Sequence, residues 1–225
     1  MKKDDKVVVG EEPTGETKVI KMDLRIPDEN HQLIRFRVRG VAPYVQNAWS
    51  AKSQEQMRKK QKAGSAGKIK RGKRDPKDFE QAYRDAMHIS REGWHGIPAA
   101  AFRKAMISAC RTVDFQMSRA KLAIFIEADG WDKVDGSALV RITKGKPHYV
   151  EHGVRNATSV DLRPRPMWDE WEAVVVVKFD ADMLSAQDVF HLMKRAGSQV
   201  GIGEGRHDSR ESAGMGWGTF QVMPL

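Results

Sequence analysis

The chain has 225 residues, 40% of them hydrophobic, which is enough for one sizeable domain with a buried core. No run approaches the roughly 18 apolar residues of a membrane-spanning helix, and the N-terminus lacks the apolar stretch of a signal peptide. The single cysteine leaves no disulfide framework, so we expect a cytoplasmic protein. The formal net charge of +9 at pH 7 indicates a polyanionic partner.

The N-terminal part of the chain combines a polar start with two candidate strands. Residues 1–16 are polar and contain two glycines and a proline, so we predict a flexible arm ahead of a single domain, 17–225. Residues 18–22 fit a short edge strand, and 33–41 are the first convincing strand. Its period of two opposes an apolar face to a cationic one, with Ile34, Phe36 and Val38 alternating with Arg35, Arg37 and Arg39.

These three arginines, which we call the arginine row, have two interpretations. A solvated face on a half-buried strand is common. Three guanidinium groups in line repel one another, however, and this favours contact with the phosphates of a nucleic acid. Tyr44 and Trp49 follow the strand and lie just before the most basic part of the chain. Each could be simple packing or could stack on an unpaired base, and we include both in the predicted interface.

The positive charge is concentrated in one segment. Between Lys52 and Lys77 there are eleven lysines and arginines and only two acidic residues, which accounts for the whole net charge. The segment has almost no large apolar residues, so we interpret residues 50–78 as a basic insertion outside the core, with a helix at 54–63. A second helix is predicted to follow it at 79–87. The insertion could be a solvated loop, but such density favours nucleic-acid binding. The predicted contacts are Lys52, Arg58, Lys59, Lys60, Lys62, Lys68, Lys70, Arg71, Lys73 and Arg74.

The middle of the chain supplies most of the predicted core. Proline in the first turn begins a strong helix at 99–111, whose apolar stripe leaves Arg103 free to join the predicted interface. Strands are predicted at 122–127 and 139–144. Residues 148–156 are polar and predicted to be irregular, whereas 160–165 are held extended by their prolines. The valine-rich run 171–179 predicts a fully buried strand.

The C-terminal part predicts a helix, a glycine-rich loop and a short strand. Ser185 and Asp188 form a capping box, and Gly197 occupies the place of a left-handed C-terminal residue. Six alternate glycines then leave bare backbone against which another chain can lie, and Arg206 projects from among them. This is no dinucleotide fingerprint, because Arg206 stands where its third glycine is required. The glycines are Gly201, Gly203, Gly205, Gly214, Gly216 and Gly218.

Without its insertion, the order of elements is close to βαββαβ. We therefore predict an α+β fold, a ferredoxin-like or RRM-like palm that carries a long basic thumb insertion and a C-terminal glycine-rich loop. One face of such a sheet is covered by helices and the other is open, and RRM domains bind bases on the open face.

Three stretches carry a resemblance to a known family. They are Gly40-Val41-Ala42-Pro43 after the first strand, the run 96–103 that begins the strong helix, and the glycine-rich segments 201–206 and 216–220. They resemble the RAMP superfamily, in particular the backbone subunit that lines guide RNA in CRISPR effector complexes. The layout is also similar to small phage-encoded proteins with the same insertion. The resemblance implies a bacterial setting, host or phage, and a thumb at the place of the basic insertion.

The resemblance implies a non-catalytic protein that binds single-stranded RNA or DNA and assembles cooperatively into a filament or array along it. The family's catalytic residues are not carried over, since Asp75 and Asp78 lie in a charged run and His88 and His95 have no evident partner. No histidine spacing predicts a metal, and we expect no cofactor. Two alternatives stay open: a RAMP-type ribonuclease that uses those residues, and a basic inhibitor or structural protein that binds an acidic protein surface.

Overall fold

The computed structural model describes residues 26–64, 76–155, 160–209 and 214–225. Across these ranges the fold is mixed α+β with antiparallel sheets. None of the helices found there combines the length and the apolar character needed to cross a bilayer. The predicted arm, 1–16, and the predicted edge strand, 18–22, lie outside the described residues.

The described ranges contain ten strands and five α-helices. The strands are β1 His31–Gly40, β2 Tyr44–Val45, β3 Gly96–Pro98, β4 Ile124–Ile126, β5 Gly130–Trp131, β6 Ala138–Lys144, β7 His148–Arg155, β8 Val160–Trp168, β9 Glu172–Asp180 and β10 Phe220–Pro224. The helices are α1 Ala51–Ala63, α2 Phe79–Asp85, α3 Ala99–Ala109, α4 Met117–Ala123 and α5 Ala186–Arg195.

The main sheet is built around β1. This strand pairs antiparallel with β9 along nearly its whole length and with β10 on its other side. The order across the sheet is β10-β1-β9-β6-β3, with β4 also paired to β9 and β5 to β6. The two central strands of the sheet are therefore β1 and β9, and they contribute residues to both of its faces.

Helices α3 and α5 cover one face of this sheet and enclose the core. From β1, Phe36 and Val38 are fully buried, and the Phe36 ring lies 5.9 Å from that of Phe190 on α5. Phe102 of α3 packs edge-on against Phe220 of β10 at 5.7 Å. Burial of each large apolar side chain stabilises the fold by roughly 1.5–3 kcal/mol. The predicted alternation in β1 is confirmed.

The prediction that the valine-rich strand is buried on both faces is wrong. In β9 the burial alternates: Val175 and Val177 are buried under the helices, whereas Val174 and Val176 on the other face are half-buried. The reason is that no described helix covers this second face of the sheet. We call it the open face, and it is the one that carries the arginine row.

A second sheet, ordered β2-β8-β7, supports the root of the basic insertion. Its main part is a long hairpin of β7 and β8, with His148 opposite Met167 at one end and Arg155 opposite Val160 at the other. The prediction that 148–156 is irregular is therefore wrong, because backbone pairing with β8 makes these polar residues a strand. Helix α2 contacts the hairpin, and Tyr83 lies 5.3 Å from Tyr149 between ring centroids.

The C-terminal helix is largely as predicted, but its end differs. Ser185 and Asp188 form the expected capping box, which stabilises helix starts by about 1 kcal/mol. Gly197 is not the left-handed cap, because a π-turn, Ala196–Val200, continues the helix and the positive φ falls on Gly201 at 74°. Gly197 is instead required for close packing, since an added Cβ would lie 2.2 Å from the carbonyl oxygen of Phe220.

Candidate nucleic-acid interface

The arginine row lies on the open face, and all three of its side chains are exposed. The alternation of β1 fixes this placement, because the residues between the arginines point into the core. Arg39 has a weak ion pair, with its Nε 3.8 Å from Glu172 Oε1. Arg35 and Arg37 have no side-chain partner within the described ranges, so these two guanidinium groups are available to an anion.

Apolar side chains lie among the arginines on the open face. In register, Arg35 is opposite Val176, and Arg37 is opposite Val174 on one side and Met223 on the other. Together, β1, β9 and β10 place no phenylalanine, tyrosine or tryptophan on this face. One aromatic ring does lie on this face: Phe125 of β4 is opposite Lys178 of β9, and its ring is 6.0 Å from that of His31. The part of the face along the arginine row therefore suits the sugar-phosphate backbone of a strand.

The predicted helix at the start of the basic insertion is confirmed as α1. Its four cations with described side chains are all exposed, and none is buried against the core: Arg58, Lys59, Lys60 and Lys62. Lys59 Nζ lies 2.8 Å from Glu55 Oε1, one turn away. The helix therefore presents cations around most of its circumference. The side chain of Lys52 and the whole of Lys68, Lys70, Arg71, Lys73 and Arg74 lie outside the described residues.

The two aromatic residues before the insertion have different environments. Trp49 is 55% exposed, so its predicted role in stacking on a base stays open. Tyr44 is 2% exposed and packs between Trp168 and Trp171 at centroid distances of 5.7 and 5.5 Å. Burial raises the pKa of Tyr44 well above its ordinary value. The prediction that Tyr44 stacks on a base is wrong, because pairing of β2 with β8 turns its ring into the core.

Arg103 was predicted to contact nucleic acid, and the structure gives it a different role. Its Nε donates to the carbonyl oxygen of Ile124 at 2.7 Å and its Nη2 to that of Lys121 at 2.5 Å. Its guanidinium also lies 5.1 Å from the centre of the Phe125 ring. These contacts tie α3 to the start of β4 and use two of the five N–H donors of Arg103 in the fold. The prediction is therefore wrong in treating this side chain as free for a strand.

The glycine-rich loop binds its own chain rather than offering a bare surface to another. All six glycines have positive φ, between 67° and 80°. The two segments pack against each other and against β2, with Ile202 N donating to Gly218 O at 3.0 Å and Glu204 N to Val45 O at 3.0 Å. The prediction of an intermolecular role for the loop is therefore wrong at these closely packed positions: Gly201, Gly203, Gly205, Gly214 and Gly218.

Gly216 and Arg206 are the less constrained members of this loop. A Cβ on Gly216 would meet only the His207 ring, at 3.5 Å, which is an ordinary contact. Arg206 is half-buried, and its Nη1 donates to the carbonyl oxygen of Gly203 at 3.1 Å. Arg206 therefore supports the loop, and part of its donor capacity is already used there.

Polar contacts that the sequence did not indicate fix the insertion and the loop to the hairpin. Lys77 Nζ lies 3.2 Å from Asp161 Oδ1 and also contacts the carbonyl oxygen of Leu162. The hydrogen bond from Lys77 lowers the pKa of Asp161. On the same hairpin Arg165, 8% exposed, is paired with Glu204 of the glycine-rich loop. The hairpin thus contacts both the end of the basic insertion and the glycine-rich loop.

His152 extends that support. Its ring lies 4.6 Å from the ring of Trp217, and its buried Nε2 has no partner in the described part of the chain. Burial lowers the pKa of His152, so the ring is held neutral at pH 7. A neutral ring packed on Trp217 fits a structural role in joining the hairpin to the glycine-rich loop.

No side-chain contact joins Asp78, His88 and His95, the candidate catalytic residues in the described ranges. Asp78 is the N-cap of α2 and accepts from Gln81 N at 2.9 Å, and Asp75 lies outside the described residues. His88 has a partner after all, since its Nδ1 lies 2.9 Å from Oδ2 of the buried Asp132. Burial lowers the pKa of His95. In the described ranges no three histidine, cysteine or carboxylate side chains are grouped as a metal site.

Comparison with known proteins adds no identification. No protein-family model matches the chain, and no curated protein matches it either.

Proposed function

We propose that this protein binds single-stranded nucleic acid without cleaving it. The observation that carries the proposal is the exposed arginine row, on a sheet face that no described helix covers. Arg35 and Arg37 are held in line at two-residue spacing by a central strand, without neutralising partners in the described structure. Such cations release the counterions of a polyanion and so favour binding.

We also propose that the palm is ferredoxin-like and that the protein is a RAMP relative. The strand order supports this: with β6 as the second strand, β10-β1-β9-β6 is the antiparallel order 4-1-3-2. Helices α3 and α5 occupy the two crossovers, as βαββαβ requires. The basic insertion follows the first long strand, which is where a RAMP thumb would lie. The cytoplasmic location stays a prediction.

The exposed helix α1 supports cooperative assembly along the strand. Among its described side chains only Gln54 is even half-buried, so the helix contributes no core and projects from the palm. A projecting cationic element can reach over a bound strand toward the next copy of the protein. We propose that successive copies form a filament or array in this way.

Removing the cations of α1 should weaken strand binding and its salt dependence while the fold is retained. We expect a variant with Arg58, Lys59, Lys60 and Lys62 all changed to glutamine to unfold at the wild-type temperature, because these side chains are exposed and glutamine is a good helix former. Since the four side chains surround the helix, about half can face one strand. The slope of log affinity against log salt should therefore fall by about 1.4, at ~0.7 per contact.

Fluorescence anisotropy with a labelled single strand would measure this slope. A control variant, Gln56→Ala and Gln61→Ala, alters exposed side chains of the same helix without changing its charge. An unchanged slope in the glutamine variant would show that α1 does not meet the strand and would remove it from the proposal.

A second candidate function is RNA cleavage, favoured by one observation. The buried carboxylate of Asp132 orients the His88 ring, as a histidine base requires. Denaturing gels of RNA incubated with the wild-type protein and with His88→Ala separate the two functions. If the wild-type protein leaves the RNA intact, it binds without cleaving. If it releases cleavage products and His88→Ala does not, the protein is a nuclease.

A further inference from the structure

A small cavity opens at the root of the basic insertion, where Trp49 precedes α1. Its volume is about 310 Å³, at the lower end of the range for small-ligand pockets. Its lining includes the exposed Trp49 and Val134 and the half-buried Met87. The volume and the tryptophan in the lining fit one planar heterocycle.

The charged side chains around this cavity are of two kinds. Arg84 and Lys133 line it as cations whose side chains have no partner in the described ranges. The carboxylates are already partly engaged: Asp85 accepts from Gln81 Nε2 at 2.7 Å, and Asp135 accepts from Ser137 N at 2.9 Å. Asp132 is more fully committed, since it holds His88 and accepts from two backbone amides.

This mixture of charges decides which part of a nucleotide fits inside. Phosphate is disfavoured in the interior because three carboxylates line the cavity. A base suits it better, since aspartate oxygens accept hydrogen bonds from the exocyclic amino groups of cytosine and other bases. Arg84 and Lys133 are then free to contact phosphates of the flanking backbone.

We propose that the cavity between Trp49 and Val134 takes one unpaired nucleobase of the bound strand, stacked on Trp49, with its amino group at Asp85 or Asp135. This inference rests on the proposed single-strand binding. The two parts of the interface would then bind different parts of the strand. The arginine row contacts phosphates on the open face, and the cavity at the root of the insertion holds a base.

The test compares two oligonucleotides of equal length, oligo(dC) and an abasic oligomer with the same phosphates. Changing Trp49→Ala should lower the affinity for oligo(dC) about tenfold, since stacking on an aromatic side chain is worth roughly 1–3 kcal/mol per base. The affinity for the abasic oligomer should not change. Trp49→Phe should restore most of the loss, because the smaller ring still stacks.

Trp131→Ala is the matched control, because Trp131 is 53% exposed, nearly as much as Trp49, and does not line the cavity. Equal affinity of the wild-type protein and Trp49→Ala for oligo(dC) would overturn the inference while leaving strand binding intact. Failure of the wild-type protein to bind these oligomers and the RNA counterpart oligo(C) would overturn the proposed function itself. Tight binding of free dCMP that depends on Trp49, with unchanged oligomer affinity, would make this a mononucleotide pocket and overturn the assignment.

Discussion

Changing Gly218→Ala should destabilise the protein by about 3 kcal/mol, the sum of left-handed backbone strain and forced repacking. Gly218 has φ of 67°, and a Cβ there would lie 1.8 Å from the carbonyl oxygen of Ile202. The same residue donates to Pro43 O at 2.7 Å, so a shift that relieves the clash strains that hydrogen bond. In thermal unfolding the midpoint should fall by roughly 6–12 °C.

Gly216→Ala separates the two causes. Gly216 has φ of 78°, but its added Cβ has room beside His207. The Gly216→Ala variant should therefore lose about 1–2 kcal/mol of unfolding free energy, from backbone strain alone. If Gly218→Ala and Gly216→Ala lowered the free energy of unfolding equally, backbone strain alone would explain the need for Gly218. The packing of the glycine segments against each other would then not be the cause.

Neutralising the arginine row should reduce strand affinity roughly 100-fold at about 0.1 M salt. Each lost phosphate contact removes ~0.7 from the slope of log affinity against log salt, and three contacts over one decade of salt amount to about two decades of affinity. The variant carries Arg35→Gln, Arg37→Gln and Arg39→Gln. Because these side chains are exposed, its unfolding midpoint should stay close to that of the wild-type protein.

The control variant must lose the same charge on the other side of the sheet. Arg119, Lys121 and Lys194 are exposed on α4 and α5, which pack over the opposite face. Changing these three to glutamine should alter the affinity only slightly. Equal losses in both variants would indicate a general effect of net charge rather than a strand held on the open face.

The arginine row was predictable because β1 has two chemically different faces, and alternation alone then fixes where each side chain points. The burial of β9 was predicted wrongly for the opposite reason. Valines occupy both faces of this strand, although helices cover only one of them. Helix α4 was not predicted, since its buried side chains are only the alanines Ala120 and Ala123, which give a weak apolar signal.

The errors at the candidate site come from contacts between distant segments. Tyr44 is buried because β2 pairs with β8, more than a hundred residues later. Arg103 is recruited by backbone oxygens about twenty residues away. Charge density identified the basic insertion correctly as lying outside the core at α1. It could not indicate which cations the fold itself uses.

The most direct measurement is the salt dependence of the affinity of the wild-type protein for a long single strand. If about six cations of the arginine row and the basic insertion meet phosphates, log affinity plotted against log salt should fall with a slope near −4. A slope close to zero would contradict the account, because no set of phosphate contacts could then hold the strand.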